Sequence, residues 1–148
     1  NMVRVGILLY GYGDDGLLKG LKPVMKIESK IVNIIDVKNG EYVGYDTNFK
    51  AKTDMKIAVV PVGYADGLPR AFNVNGFLKV VCEEDGKKAS HNCKITGNIC
   101  MDLTMIDVTA INAKVGDRVV VLSDADSMAR KLKTISYEIL TNFSKLRT

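Results

Sequence analysis

The chain has 148 residues, of which 47% are hydrophobic and 26% charged; this is typical of one globular domain and argues against a disordered protein. The net charge is only +4 and the lysines form no run, so the composition also argues against a nucleic-acid-binding protein. No apolar segment is long enough to span a bilayer, and no signal peptide is visible.

The first predicted element is a buried strand over residues 3–10, because this run is almost entirely apolar after Arg4. Glycines and aspartates at 11–16 predict a loop after it. Such a strand requires neighbours in a parallel sheet, and no neighbour follows in the sequence. The start, Asn1-Met2, also does not resemble a natural initiator. We therefore expect the chain to be a fragment whose preceding domain is absent.

From Val24 onward, the sequence predicts short strands separated by turns, a pattern typical of a small sandwich or barrel. The turn signals are Asn39-Gly40, Asp85-Gly86, Gly97 and Gly116-Asp117. The predicted strands are residues 31–37, 42–49, 55–64, 77–82, 93–95, 99–108 and 118–122.

The end of the chain is predicted to be helical. Asp126 is a candidate cap for a short helix over residues 127–133, and Thr134 for a second helix. Apolar residues of the second helix recur at helical spacing, at Ile135, Ile139 and Phe143. The predicted fold class is therefore mainly β, with short helices near the C-terminus.

The cysteine and histidine content argues against a metal centre. Cys82, Cys93 and Cys100 are odd in number and lack C-x-x-C spacing, which predicts reduced thiols and a cytoplasmic location. His91 is the only histidine and lies in a lysine-rich stretch that we predict to be a loop. Together with Cys93 it supplies too few ligands for zinc, so we expect no metal site.

Familiar catalytic motifs are absent from the sequence. There is no G-x-S-x-G, no P-loop and no dinucleotide-binding glycine pattern. A Ser-His-Asp triad would need His91, whose predicted loop setting suits that role poorly.

Three short segments contain side chains that could serve a site. Tyr64 and Asp66 follow a strongly apolar predicted strand. Asp102 lies within another predicted strand, where alternation places its side chain on the face opposite to that of Met101. Tyr45 follows the Asn39-Gly40 turn. Each segment is equally compatible with a simple turn, a solvent-facing acid or a packing tyrosine, so spacing alone leaves both interpretations open.

Taken in order, the segments resemble the alanine racemase family, and the resemblance covers nearly the whole chain. Residues 2–11 resemble the last strand of its barrel domain, residues 21–25 with Ser29 the entry to its second domain, and residues 40–45 its catalytic-tyrosine segment. The remaining similar segments are residues 61–67 with Arg70, residues 97–102, Gly116-Asp117 and residues 134–140.

The resemblance implies a domain organisation and an activity. Residues 1–20 would be the tail of an absent (β/α)8 barrel that binds the cofactor, and residues 21–148 a small, β-barrel-like C-terminal domain. The complete protein would be a head-to-tail homodimer that interconverts L-alanine and D-alanine with pyridoxal phosphate, for cell-wall precursors.

The resemblance also implies roles for individual residues. Tyr45 would be the catalytic acid–base group, reaching into the partner subunit's site. Arg4 would lie beside the pyridine nitrogen of the cofactor. The remaining expected contacts are Met101, Asp102 and Tyr64 with the substrate, and Gly6, Ile7 and Tyr137 with the cofactor phosphate.

The chain departs from the family pattern at several points. The lysine that holds the cofactor has no counterpart here, so we expect this chain alone to be inactive. Asp46 replaces the glycine that usually follows the catalytic tyrosine; a carboxylate there would raise the pKa of the phenol, unless strand alternation turns it away. Leu146-Arg147 does not align with the family's end.

Two alternatives to an alanine racemase stay open on the sequence. One is a serine racemase of the same family, which would differ in residues outside this chain. The other is a β module that binds a protein partner and has no catalytic activity.

Overall fold

The fold is seen in a computed structural model, which describes residues 1–13, 20–84 and 86–143. Three segments discussed above lie outside these residues: positions 14–16 of the predicted loop, Asp85 of a predicted turn, and Leu146-Arg147. The strands are β1 (Ile27–Lys30), β2 (Asn33–Val37), β3 (Tyr42–Val43), β4 (Phe49–Lys50), β5 (Met55–Val60), β6 (Phe77–Glu84), β7 (Lys87–Lys94), β8 (Thr104–Asp107) and β9 (Arg118–Leu122). The α-helices are α1 (Ala125–Leu132) and α2 (Ser136–Phe143).

The described strands pair into three antiparallel sheets. The largest has the order β1-β9-β6-β7, the second β2-β5-β8, and β3 pairs only with β4. The prediction of a mainly β domain with short helices at its end is therefore confirmed.

The predicted barrel-like closure is wrong. The chain passes from the first sheet to the second at Ile31 and Val32, whose N–H groups donate to Asp117 and Val59. On the other side, one isolated bridge among the described residues, between Ile95 and Ile106, links the sheets. Because one bridge does not make a continuous ladder, the strands pack as separate sheets rather than one cylinder.

The prediction of an N-terminal strand over residues 3–10 is also wrong. The chain instead forms a 3₁₀ turn over Gly6–Tyr10, and Gly11 ends it in a left-handed conformation. Val3 is 85% exposed. An apolar run forms a strand only where another strand accepts its hydrogen bonds, and the described residues offer none to this segment.

Two other predicted elements differ from the observed ones. The predicted strand at 42–49 is interrupted by a 3₁₀ turn over Tyr45–Thr47, where two residues have positive φ. The predicted loop around His91 belongs to β7, which pairs along its whole described length with β6. Polar side chains dominate β7, so its strand character depends on its partner rather than on hydrophobicity.

The main core is built from residues of the two larger sheets and both helices. Its fully buried members include Leu78, Val80, Ile139 and Phe143. A smaller cluster of Val37, Val43, Ala51, Ile57 and Met105 lies under the β3–β4 hairpin. Neither described helix is long and apolar enough to cross a membrane.

The two helices pack against each other after β9. Asp124, not Asp126, caps α1: its carboxylate accepts hydrogen bonds from the N–H groups of Asp126 and Ser127, at 3.0 and 3.3 Å. Asp126 instead accepts a hydrogen bond from the hydroxyl of Ser136, the first residue of α2. The two aspartates therefore fix both the start of α1 and its contact with α2.

Asp54 connects two loops of the domain and gives a pH-dependent contribution to stability. Its carboxylate accepts hydrogen bonds from Lys38 Nζ at 2.8 Å and from the N–H of Asn39 at 3.0 Å. Both contacts favour the charged form and lower the pKa of Asp54, Lys38 having the larger effect. The stabilisation is therefore complete above the pKa of the unfolded chain, near 3.8, and is lost as the pH falls through the lower folded value.

We expect Asp54→Asn to lower the free energy of unfolding at pH 7 and to have a smaller effect at pH 2, where the carboxylate is partly or fully protonated. Urea unfolding at the two pH values measures the difference. Glu83→Gln is the control, because Glu83 is exposed on β6 and is not among the charged groups that act on Lys38 or Asp54. An equal loss for Asp54→Asn at both pH values would contradict the assignment.

Candidate functional site

Tyr45 lies on a sharp turn rather than on a strand. Gly44, with φ 79°, ends β3, and the following 3₁₀ turn presents the Tyr45 side chain with 71% of its surface exposed. Asp46 has φ 65° and ψ 15°, a left-handed conformation that suits the glycine expected at this position. Strand alternation therefore does not decide the direction of its carboxylate, which lies 3.9 Å from Arg70.

The second segment, residues 97–102, passes directly under the Tyr45 turn. Asn98, only 6% exposed, donates its side-chain amide to the carbonyl of Tyr45 at 3.3 Å and to Asp46 at 3.4 Å. Its own side-chain oxygen accepts a hydrogen bond from Asn73 at 3.0 Å. Asn98 lies in a segment that carries the family resemblance, but no site role for Asn98 was predicted from the sequence.

The third segment, residues 63–66, is joined to the second through the backbone. The N–H groups of Tyr64 and Ala65 donate to the carbonyls of Cys100 and Met101, at 3.1 and 3.0 Å. Gly63 makes this approach possible, because a Cβ there would lie 2.2 to 2.4 Å from the backbone of residues 100 and 101. We call residues 44–46, 63–66 and 97–102 together the rim.

The rim places the predicted substrate residues near Tyr45. Tyr64 and Met101 are about half exposed, and Asp102 is exposed. Asp102 was predicted to lie inside a strand, but it lies in a bend before β8 begins at Thr104. Both Asp102 and Met101 therefore face outward. Asp66 accepts a hydrogen bond from the N–H of Gly63 at 2.9 Å and closes its own turn.

An apolar depression of about 350 Å³ lies beside the rim. Its walls include Tyr42, Tyr45, Cys100, Leu103 and Met105. Burial raises the pKa of the Cys100 thiol, and this exceeds the opposing effect of a hydrogen bond from the Tyr45 backbone. The Cys100 thiol is therefore protonated, and the wall of the depression on this side of the phenol is neutral and apolar.

The predicted phosphate residues form a second group at the start of α2. A Cβ on Gly6 would lie 3.5 Å from the hydroxyl of Tyr137, which is half exposed. Ile7, Arg130 and Tyr137 line a cavity of about 420 Å³; because Gly6 precedes Ile7 and lies near Tyr137, we call it the Gly6–Tyr137 pocket. Gly6 and Ile7 open the 3₁₀ turn, where backbone N–H groups lack partners within the turn.

Tyr12 fixes this N-terminal segment to the domain. Its side chain is 4% exposed, and its hydroxyl accepts a hydrogen bond from the N–H of Ala125 at 2.8 Å. Burial raises the pKa of Tyr12, so the phenol stays protonated. Arg4 is exposed and forms no ion pair with the described part of the chain.

Asn98 is expected to hold the Tyr45 turn in place. Asn98→Ala would leave the Tyr45 carbonyl and the Asn73 amide without their partner, at a cost of about 2 kcal/mol in the free energy of unfolding. Urea unfolding measures this cost. Asn92→Ala, at an exposed position of β7, should change the free energy far less. Equal effects of the two substitutions would show that the buried amide does not stabilise the rim.

A family model for the alanine racemase C-terminal domain matches residues 24–148. Alanine racemase from Borreliella burgdorferi strain ZS7 is 38% identical in an alignment of 153 positions. The alignment covers 98% of this chain and 39% of that protein. The chain thus spans about two fifths of the length of this relative.

Solved structures of the same family have the same fold. Alanine racemase from Clostridium difficile 630, in complex with cycloserine, superposes with a TM-score of 0.80 and 35% identity, over 95% of this chain and 37% of that one. Alanine racemase from Bartonella henselae, with covalently bound pyridoxal phosphate, has a TM-score of 0.79 and 30% identity. The match covers 93% of this chain and 38% of that one.

Proposed function

Because the chain belongs to the alanine racemase family, whose C-terminal domain it matches, we propose that it forms the C-terminal part of an enzyme that interconverts L-alanine and D-alanine. The chain corresponds to less than two fifths of the solved relatives. The activity therefore belongs to a longer protein, to which this chain contributes part of the site.

The observation that carries the proposal is the exposed phenol of Tyr45 on the rim. Three segments distant in sequence converge there, held by the buried Asn98 and by the close approach at Gly63. Tyr45, Tyr64, Met101 and Asp102 all reach the surface of this region. Such an arrangement supports a site that is completed by another protein surface placed over the rim.

Tyr45 handles a proton in this proposal. Racemisation removes the α-proton from one face of the substrate and returns a proton to the other face. Two acid–base groups on opposite faces accomplish this without turning the substrate. Tyr45 serves the L-alanine face, and a lysine outside this chain serves the other. A free tyrosine has a pKa near 10, so the phenol needs cationic neighbours from the completing surface to act as a base near neutral pH.

The Gly6–Tyr137 pocket fits the phosphate group of pyridoxal phosphate. Amide groups of Gly6 and Ile7 and the hydroxyl of Tyr137 supply neutral donors. The lining also contains one cation, Arg130, and one carboxylate, Asp126, which accepts a hydrogen bond from Ser136. Arg4, close in the chain, would approach the pyridine nitrogen. The cofactor, when bound, supplies the electron sink for the carbanion left by proton removal.

The rim and the Gly6–Tyr137 pocket have no residue in common within the described part of the chain. This separation supports a head-to-tail dimer, in which the pocket serves its own subunit's site and the rim serves the partner's. Met101, Asp102 and Tyr64 would then line the substrate position in the partner's site.

Assays of the complete protein and of this chain test the proposal. With pyridoxal phosphate, the complete protein should form D-alanine from L-alanine faster than it racemises serine. The 148-residue chain alone should have no activity. Racemisation by this chain alone would contradict the division of the site between two segments, and preferential turnover of serine would change the substrate.

A further inference from the structure

Three metal-ligating side chains meet on the inner face of the β6–β7 hairpin. Cys82 and Glu84 are two residues apart on β6, so their side chains lie on the same face. In the strand register Val80 is opposite His91 and Cys82 is opposite Ala89, so His91 lies diagonally across from Cys82. Strand pairing thus unites residues that the sequence separates.

The distances between the donor atoms suit a shared ion. Glu84 Oε1 lies 3.0 Å from His91 Nε2 and 3.8 Å from Cys82 Sγ, and all three donor atoms lie within 4.8 Å of one another. Tetrahedral zinc with ordinary bond lengths separates such donor atoms by about 3.3 to 3.7 Å. Both contacts of Glu84 Oε1 are close to this separation, and side-chain shifts of up to about 1 Å would place all three donor atoms around one ion.

The imidazole nitrogen gives a second, independent indication. His91 Nε2 is buried from solvent and has no hydrogen-bond partner among the described residues, although Glu84 Oε1 is 3.0 Å away. The two atoms are close, but the angle of the contact is not that of a hydrogen bond. When the neutral imidazole carries its proton on Nδ1, Nε2 and the carboxylate oxygen both present lone pairs, and a cation between the two atoms would turn their repulsion into coordination.

We propose that Cys82, Glu84 and His91 bind one Zn²⁺ ion, with water in the fourth position. A thiolate, an imidazole and a carboxylate form the mixed donor set that zinc accepts, and the two anionic ligands balance its charge. The site is separate from the proposed racemisation chemistry and does not depend on it. The sequence-based expectation of no metal considered only His91 and Cys93, whereas Cys93 lies opposite Leu78, further along the hairpin.

Titration of the reduced 148-residue chain with Co²⁺ tests the proposal. We expect one ion per chain and a thiolate-to-cobalt absorption band in the near ultraviolet, both abolished by Zn²⁺ in competition. Cys82→Ser should remove the band. Because Cys82 is buried and its replacement can unfold the chain, Glu84→Gln and His91→Gln at the partly exposed positions are the decisive variants. Each should weaken Co²⁺ binding at least about tenfold.

Matched controls separate this site from adventitious binding. Glu83→Gln and Asn92→Ala, at exposed positions of the same two strands, should keep the wild-type affinity. Circular dichroism of each variant verifies the fold. Absence of binding at millimolar Co²⁺, or binding that Glu84→Gln and His91→Gln leave unchanged, would overturn the proposal. The three residues would then be a cross-strand ion pair beside a buried thiol.

Discussion

Tyr45→Phe in the complete enzyme is expected to lower turnover of L-alanine by about 10²- to 10⁴-fold, the usual contribution of a positioned acid–base group. The substitution removes only the hydroxyl, and the ring keeps its place on the rim beside Cys100 and Leu103. Substrate binding should therefore change little, so the loss should lie in kcat rather than in KM.

Exchange of the α-proton with deuterated solvent localises the defect. In the Tyr45→Phe enzyme, D-alanine should still exchange its α-proton through the second base, whereas L-alanine should not. Tyr42→Phe is the matched control, because Tyr42 borders the same depression and is exposed to a similar degree. Unchanged turnover of L-alanine by Tyr45→Phe would remove Tyr45 from the mechanism.

Gly63→Ala is expected to lower the free energy of unfolding by about 3 kcal/mol or more, because the added methyl group would collide with backbone atoms. It would lie 2.2 Å from the carbonyl oxygen of Met101 and 2.3 Å from that of Cys100. Neither oxygen can rotate away. The two rim segments must therefore separate, which breaks the hydrogen bonds of Tyr64 and Ala65 and adds overpacking strain.

Gly116→Ala provides the comparison for a glycine without close neighbours. Gly116 has φ 96°, and among the described residues no atom beyond Gly116 and its two chain neighbours lies within 4 Å of the position that an added methyl group would occupy. Its replacement therefore costs only the backbone strain, about 1 to 2 kcal/mol. Urea unfolding of both variants measures the difference. In the complete enzyme, Gly63→Ala should also lower activity, since it displaces Tyr64 and Met101. Equal destabilisation by the two substitutions would show that the rim adjusts freely.

Elements whose character is local could be predicted from the sequence. The strand predicted at 118–122 has the observed bounds of β9, because an unbroken β-branched run suits a strand in the middle of a sheet. The helix predicted at 127–133 lies within two residues of α1, and the second predicted helix lies near α2. The predicted cap of α1 is wrong, since Asp124 and Asp126 are equally good caps and only the path of the chain from β9 decides between them.

Features that depend on distant partners could not be predicted. β7 contains mostly polar residues and is a strand because β6 pairs with it. The run at 3–10 is apolar but has no pairing partner among the described residues, so it coils into a 3₁₀ turn instead.

The candidate site also contains features that the sequence indicated and features that only the fold reveals. Family resemblance indicated Tyr45, Met101 and Tyr64 as site residues, and these roles stay predictions. It gave no indication of the hydrogen bonds of Asn98 that join the Tyr45 turn to the 97–102 segment. The convergence of Cys82, Glu84 and His91 follows from hairpin register, which a sequence with one histidine and unevenly spaced cysteines does not reveal.

The pairing of β1 with β9 affects the order in which the domain can fold. Ile27 lies opposite Leu122, so strands from opposite ends of the domain are neighbours, and β9 also separates β1 from β6. During synthesis on the ribosome, the large sheet cannot assemble until residue 122 has left the exit tunnel. Closing so long a loop is entropically costly before any contact compensates for it, so folding should be slow and all-or-none, with a high contact order.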